Sequence, residues 1–542
     1  MATTLPELCL RMIFEELRND FISLHSCILV NRNWCNLALP KLWKNPFDAI
    51  NNSNLNGIME ANIPLLNTYT SCLSEDIRDN LGLKSNIQVP LFDYGIYLQY
   101  IHFKTILKSI YLWRNLYKDC GDPTVFKLKT TTKRRKISNS NEDNVLKALC
   151  EYFINRSKCL KGVDLLDGIF LNIFEFPNAS LNLSRIQEFK FEIQFNYEVV
   201  SSAAKIAKNI SKLEIDLKKV PYSTLVTRIN NIQELIKSQK NLKEILLSCS
   251  IMEFPSIINS LIIHAETLTH ITIRNIKFEN GFPLAELAEY LNLKYLKIEN
   301  CKFSKGNIIK PDLKAFQKLE LISIKDTYII FEIMEILCCQ AKDCLRILKL
   351  PADSTDFPRL EIICIKYCPN IKKFITSTKT SFDHIISMLN VCKNLEEIHI
   401  YEEQQDEEIF SGQMIYNLHD SNQFLKTLGE ILPKSVHTFK YFSEWRFDSE
   451  SLEIFLRRFQ PKKFKLLEFH NCSFFSDEHL NVIIRFCGKT LKKLHISGKN
   501  NLHRMYVLER RHQFLGDLYV EKLNHKQLFV DNLMEEKFYM KL

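Results

Sequence analysis

Leu293-Lys-Tyr-Leu296-Lys-Ile298-Glu-Asn-Cys301-Lys-Phe303 is the stretch whose reading decides the fold. Its apolar positions follow L-x-x-L-x-L, and Leu296 and Ile298, two residues apart, point to the same side of a short strand. Working outward, the same spelling returns upstream at Leu268, Leu242, Ile210, Ile186 and Leu160, and downstream at Leu319, Leu345, Ile371 and Leu395. Further copies begin at Val436, Phe464, Leu491 and Leu515. The start-to-start intervals are 26, 24, 32, 26, 25, 26, 26, 26, 24, 41, 28, 27 and 24 residues. Leu360 matches by spelling but lies only 15 residues after Leu345, so it reads as a helix between two strands.

No single copy can bury its own leucines, so copies must stack into one parallel sheet with a continuous apolar interior. Segments such as Leu284 to Leu291 return the chain to its starting side as helices. This pattern resembles leucine-rich repeats. The expected fold class is therefore α/β: a curved solenoid over residues 158–542, about 14 repeats, with parallel strands on a concave face and helices on a convex one. Leu296 and Ile298 should be buried and Tyr295 and Lys297 exposed. Cys249, Cys301 and Cys472 follow strands at the bend where such repeats prefer Asn or Cys, whereas Cys159, Cys344, Cys368, Cys392 and Cys487 precede strands. No C-x-x-C pair or His-Cys cluster asks for a metal, and no metal or other cofactor is expected.

The first 48 residues have a different pattern. Leu10, Ile13, Phe14 and Leu17 form the stripe of one helix, Asp20 caps a second through Leu24, and a third follows with Leu29, Val30, Trp34 and Leu37. So small a unit cannot hide that much apolar surface, and the surplus must face a partner. Leu5-Pro6, Ile13-Phe14, Leu17, Asp20 to Leu24 and Val30-Asn31-Arg32-Asn33-Trp34 resemble the F-box motif. Two positions depart from it: Asn31, where the family usually has Cys, and Phe21, where it favours Leu. The resemblance implies a three-helix F-box over residues 1–48 that docks on a Skp-type adaptor of a cullin–RING ubiquitin ligase. It implies adaptor-binding roles for Leu5, Pro6, Leu8, Ile13, Phe14, Leu17, Leu24, Leu29, Val30, Trp34, Leu42 and Trp43. A helical cap packed against the rest of the chain is the alternative reading of these residues.

Between the two lies a helical linker and solenoid cap, residues 49–157. Ile96 to Tyr117 reads as one long helix, with Tyr100, Phe103, Ile106, Ile110 and Trp113 at helical spacing. Residues 127–144 are nearly devoid of apolar groups and read as a mobile basic loop. Its Lys133-Arg134-Arg135-Lys136 run serves either nuclear import or solvation. Glu402 to Glu408, inside the 41-residue interval, is an acidic excursion that either touches a partner or is merely solvated.

Composition narrows the function. Thirteen glycines in 542 residues leave little material for phosphate-cradling loops, and Gly488-Lys489-Thr490 lacks the upstream glycine of a phosphate-binding loop. The net charge of +9 is diluted over 63.8 kDa, which argues against a nucleic-acid partner. No apolar run reaches the roughly 18 residues of a membrane span, and no secretory signal is evident. The 17 cysteines lack paired spacing, as expected for reduced thiols in the cytoplasm, the nucleus or both. The 14 histidines form no H-E-x-x-H, and His270, His399 and His495 read as ordinary solvated side chains on the sheet. No catalytic constellation emerges.

An F-box followed by leucine-rich repeats looks like a substrate receptor of an SCF-type ubiquitin ligase, itself non-catalytic. The solenoid would hold an unidentified target protein, with His270, Arg274, Tyr295, Lys297 and Lys325 as candidate target-binding residues. The alternative is a repeat scaffold that acts without ubiquitin transfer.

Overall fold

The computed structural model describes residues 5–47, 64–83, 90–119, 141–166, 171–192, 197–217, 222–248, 254–278, 281–303, 315–325, 327, 331–350, 362–363, 366–377, 382–401, 418–442, 447–459, 464–470, 475–487, 490–496 and 506–509. They fall into two compact units, residues 1–248 and 249–542. That boundary lies inside the repeat region, and the N-terminal helices belong to the same unit as the first strands.

The first unit opens with three helices, α1 (Glu7–Glu16), α2 (Phe21–Ile28) and α3 (Arg32–Leu42). The Asp20 carboxylate accepts the Ser23 N–H at 3.0 Å, and the Asn31 side chain accepts the Trp34 N–H at 2.9 Å, so each cap satisfies an orphan donor. Leu10, Phe14, Leu24, Leu37 and Ala38 form their shared core, with Leu17, Trp34 and Leu42 packed against it. Five parallel strands follow: β1 (Tyr100–His102), β2 (Gly162–Leu165), β3 (Glu188–Glu192), β4 (Lys212–Asp216) and β5 (Glu244–Ser248).

Strand β1 corrects the long helix expected over 96–117. Residues Tyr94–Tyr97 are a 3-10 turn, Tyr100–His102 pair with Gly162–Asp164, and the helix proper is Phe103–Asp119. Leu98-x-x-Ile101-x-Phe103 is itself a copy of the repeat, hidden because Phe103 both completes the copy and opens the helix. The helix Asn141–Arg156 takes the last four residues of the segment expected to be a basic loop; 127–140 lie outside the described residues.

The second unit carries nine parallel strands: β6 (His270–Arg274), β8 (Tyr295–Glu299), β10 (Leu321–Lys325), β11 (Ile347–Lys349), β12 (Lys373–Ser377), β13 (Glu397–Tyr401), β14 (Thr438–Phe442), β15 (Leu466–His470) and β16 (Lys493–Ile496). Register joins equivalent repeat positions, as in Ile271↔Leu296↔Ile322↔Leu348↔Phe374↔Ile398↔Phe439↔Leu467↔Leu494. Helices alternate with these strands, for example Phe331–Ala341, Phe382–Val391, Leu418–Ile431, Ser449–Phe459 and Asp477–Cys487. Residues Ile362 and Ile363 are helical, as the reading of Leu360 required.

Leu296 and Ile298 are buried, while Tyr295 is half-buried and Lys297 exposed. After β6 and β8 the chain turns through Asn275 and Asn300, both left-handed, a conformation Asn tolerates better than most residues. The Asn300 amide donates to the Asn275 side-chain oxygen at 2.8 Å, and the two-residue strands β7 (Lys277–Phe278) and β9 (Lys302–Phe303) pair beyond them. Cys301 sits buried at the expected bend, its N–H on the Thr327 hydroxyl at 2.9 Å.

The far end departs from the expected pattern. The next described strand after β16 is β17 (Tyr506–Glu509), which runs antiparallel to it. The copy at Leu515 lies outside the described residues, as do Cys249, Cys472 and Glu402 to Glu408. Among the described residues no helix is long and apolar enough to cross a membrane.

Candidate interaction surfaces

Two surfaces present chemistry outward. The first is on the N-terminal helices. Leu10 and Phe14, four apart, point one side of α1 inward, which turns Leu8 and Met12 to the opposite side. Leu5, Leu8, Met12, Ile13, Ile22, Leu29 and Val30 are all exposed, Ile22 by 83%, Leu29 by 73% and Leu8 by 70%. They are seven of the 17 exposed large hydrophobics among the described residues, a concentration that scattered surface leucines do not produce.

Of the expected adaptor-binding residues, Leu5, Pro6, Leu8, Ile13, Leu29 and Val30 are exposed. Phe14 and Leu24 are fully enclosed and Leu17, Trp34 and Leu42 half-buried; the Phe14 and Trp34 rings meet edge to face at 5.3 Å. Their part is to hold the helices together. Trp43 faces the sheet side instead, stacked on Tyr94 at 3.9 Å and edge-on to Tyr69 at 5.4 Å. Phe47, Tyr69 and Phe153 continue that aromatic packing. The Lys44 carbonyl accepts the Gln99 N–H at 2.9 Å, so the three helices are joined to the residue before β1.

The second surface is the strand face that carries the unburied row. On the first unit it holds Asp164, Glu188, Glu192, Glu214, Asp216 and Glu244 against Lys190 and Lys212, a net of −4. Neighbouring strands pair these charges: Lys190 with Glu214 at 3.2 Å, Lys212 with Glu244 at 3.6 Å, His102 with Asp164 at 3.5 Å. Burial pushes the Asp164 carboxyl up, but bonding from His102 and the Leu166 N–H holds it below its ordinary value. Gly162 leaves room for the Tyr100 ring, whose Cδ1 would lie 2.7 Å from an added Cβ. Through that space the Tyr100 hydroxyl reaches Glu188 at 3.4 Å.

On the second unit the sign reverses. The described strand residues Arg274, Lys297, Lys325, Lys349, Lys373, Lys440 and Lys493 face only Glu299, Glu397 and Glu468, a net of +4. The row just before the strands adds Lys294, Arg346, Lys372, Lys465 and Lys492 against Glu320 and Glu396. On the first unit the equivalent row adds Lys161 and Lys243, so the contrast between the units persists.

Within the second face, Glu397 bonds Lys373 at 2.7 Å, and the nearly enclosed Glu468 takes Lys440 at 2.9 Å and Lys493 at 4.0 Å. His399 lies between these pairs, 3.4 Å from Glu397, and is not the solvated histidine expected. Burial, reinforced by Lys373 and Lys440 and opposed by Glu397 and Glu468, pushes its imidazole down to about 4.

The five expected target-binding residues lie side by side on β6, β8 and β10. His270 stacks on Tyr295 with centroids 4.2 Å apart, and Arg274 is paired with Glu299. Lys297 and Lys325 are exposed. Missed by sequence reasoning is the half-buried aliphatic patch of Leu321 and Ile347, paired across β10 and β11, with Ile375 diagonal on β12. Each replaces a polar residue at an outward position, and that replacement is the signal.

The interior cysteines are held protonated by burial, Cys301 at about 11 and Cys392 and Cys487 at about 12. Among the described residues no cluster of His, Cys, Asp or Glu is placed to hold a metal ion. His495 lies on β16, where its side chain is outside the described ones.

No family model and no curated protein matches the chain. Among solved structures it is similar to the leucine-rich repeat-containing protein LegL7 from Legionella pneumophila, at 10% identity over 63% of this chain and 94% of that one, with a TM-score of 0.31.

Proposed function

We propose that this chain is a substrate receptor of an SCF-type ubiquitin ligase, with the N-terminal helices on a Skp-type adaptor and the repeat sheet holding a target protein. The observation that carries the reading is that seven large apolar side chains, Leu5, Leu8, Met12, Ile13, Ile22, Leu29 and Val30, are exposed on helices that already have a closed core of their own. So many exposed apolar side chains, on a unit with no unmet packing need, support a protein interface there. The F-box resemblance assigns the adaptor as its occupant. The chain itself is non-catalytic in this reading: it raises the effective concentration of target lysines beside the ubiquitin carrier. The bond from Gln99 to Lys44 and the Trp43 stack on Tyr94 support this role, because they couple the docking helices to the sheet of the first unit.

The test uses the full chain and a purified Skp-type adaptor. Leu8→Asp with Val30→Asp should abolish capture while leaving thermal unfolding unchanged, since both side chains are already in water. Phe14→Ala should lower capture and stability together, by ~3–5 kcal/mol for the buried ring. Normal capture by the double variant sinks the adaptor assignment and leaves the repeat scaffold reading.

A further inference from the structure

We infer that the open strand face of the second unit docks an acidic peptide segment of a partner protein, one that also carries aliphatic or aromatic side chains. The inference names the target class of the receptor proposed above and rests on that reading only for calling the occupant a target. Three observations carry it. The face has seven cationic strand residues against three carboxylates, while the first unit's face has the opposite balance, so charge complementarity selects acidic ligands for the second unit alone. All three carboxylates are engaged by cations of the face itself, Glu299 by Arg274, Glu397 by Lys373 and Glu468 by Lys440, and repel an incoming anion weakly. Leu321, Ile347 and Ile375 sit half-buried amid the charges, beside the Tyr295 ring, and present an apolar anchor site with a basic surround. Interfaces take this form, with a desolvated centre and a charged rim.

Nucleic acid fits the same face worse, because its sugar-phosphate backbone has no use for three aliphatic side chains in the middle of the track.

Random 16-residue peptides displayed on phage, selected on the full chain without adaptor, test the proposal. Recovered peptides should be rich in Asp and Glu with Leu, Ile or Phe, and their binding should weaken with salt. Lys297→Glu with Lys349→Glu should weaken the best of them by about tenfold or more. Lys297→Ala with Lys349→Ala should show a smaller loss, which keeps the result readable if the reversed variant folds poorly. Glu192→Lys on the first unit should change nothing. Failure to recover peptides, recovery of basic ones, or indifference to both lysine variants overturns the proposal. So does loss of binding on deleting residues 402–408 alone, equal affinity for a 20-nucleotide oligo-dT, or low-salt self-association that the lysine variants abolish. Adaptor capture, measured in parallel on the same preparations, reports the receptor reading separately.

Discussion

His399 shows how a side chain that the sequence presents as ordinary becomes particular in the fold. On the strand spelling it alternates with Ile398 and Ile400 and so belongs on the open face, which is correct. What spelling omits is its company: Lys373 and Lys440 come from the strands on either side, 26 and 41 residues away, and only the register brings them together. Because an unfolded imidazole titrates near 6.5 and this one near 4, the unfolded chain binds the extra proton between those values. The stability that neutral His399 preserves is complete above about pH 6.5 and declines as pH falls toward 4. Urea unfolding at pH 7 and pH 5 should therefore differ by about 2 kcal/mol more in the native chain than in His399→Gln. Equal differences in the two would refute the assignment.

Individual elements were legible wherever the period held. Thirteen of the fourteen spelled copies are strands, each with its fourth residue buried, because a stacked repeat leaves the chain no other way to hide those positions. Strand β1 escaped because about 60 residues separate Leu98 from the next copy at Leu160, erasing the interval that made the others visible. The ladder of β7 and β9 was visible only as the tripeptides Ile276-Lys277-Phe278 and Cys301-Lys302-Phe303, too short to call a strand.

Helix contacts were not legible at all, and Gly429 is the case in point. It lies in the helix Leu418–Ile431, where alanine ordinarily stabilises by up to ~1 kcal/mol. Here an added Cβ would stand 2.8 Å from the Phe455 carbonyl oxygen and 3.0 Å from its Cα, in the helix Ser449–Phe459. Backbone cannot step aside as a flexible side chain can, so the clash outweighs the propensity. Gly429→Ala should cost ~1–3 kcal/mol in chemical denaturation. A variant as stable as the native chain would show that the two helices adjust freely.

Charge is the property that emerges only at the scale of the whole molecule. Summed over the chain it is a diluted +9, and the mixture of signs among outward residues gives no hint of a preferred partner. Sorted by unit and by face, the same residues separate into one acidic and one basic surface. Sequence reading averaged the two because the strand face must be assembled before its charges can be counted. The N-terminal helices were legible as a group, but their division into core and surface was not, since Leu10 with Phe14 and Leu8 with Met12 are both four-residue spacings.

The antiparallel strand β17 has a consequence for how molecules of this kind stay apart. A run of like parallel strands is a self-propagating template, since the last strand offers the next chain the same hydrogen-bonding groups that the strand before offered it. Reversing direction at β17 breaks that continuity, for a parallel newcomer no longer finds the spacing that repeats itself along the stack. Beside β1, in the first unit, the Lys44 carbonyl likewise occupies the Gln99 N–H that would otherwise invite pairing. A chain cut after Ile496 should consequently sediment as larger, concentration-dependent species than the intact one, and an unchanged profile would count against this role. Among the described residues, what looks like an irregularity in the repeat would in this way hold a polymerisable pattern to a single chain.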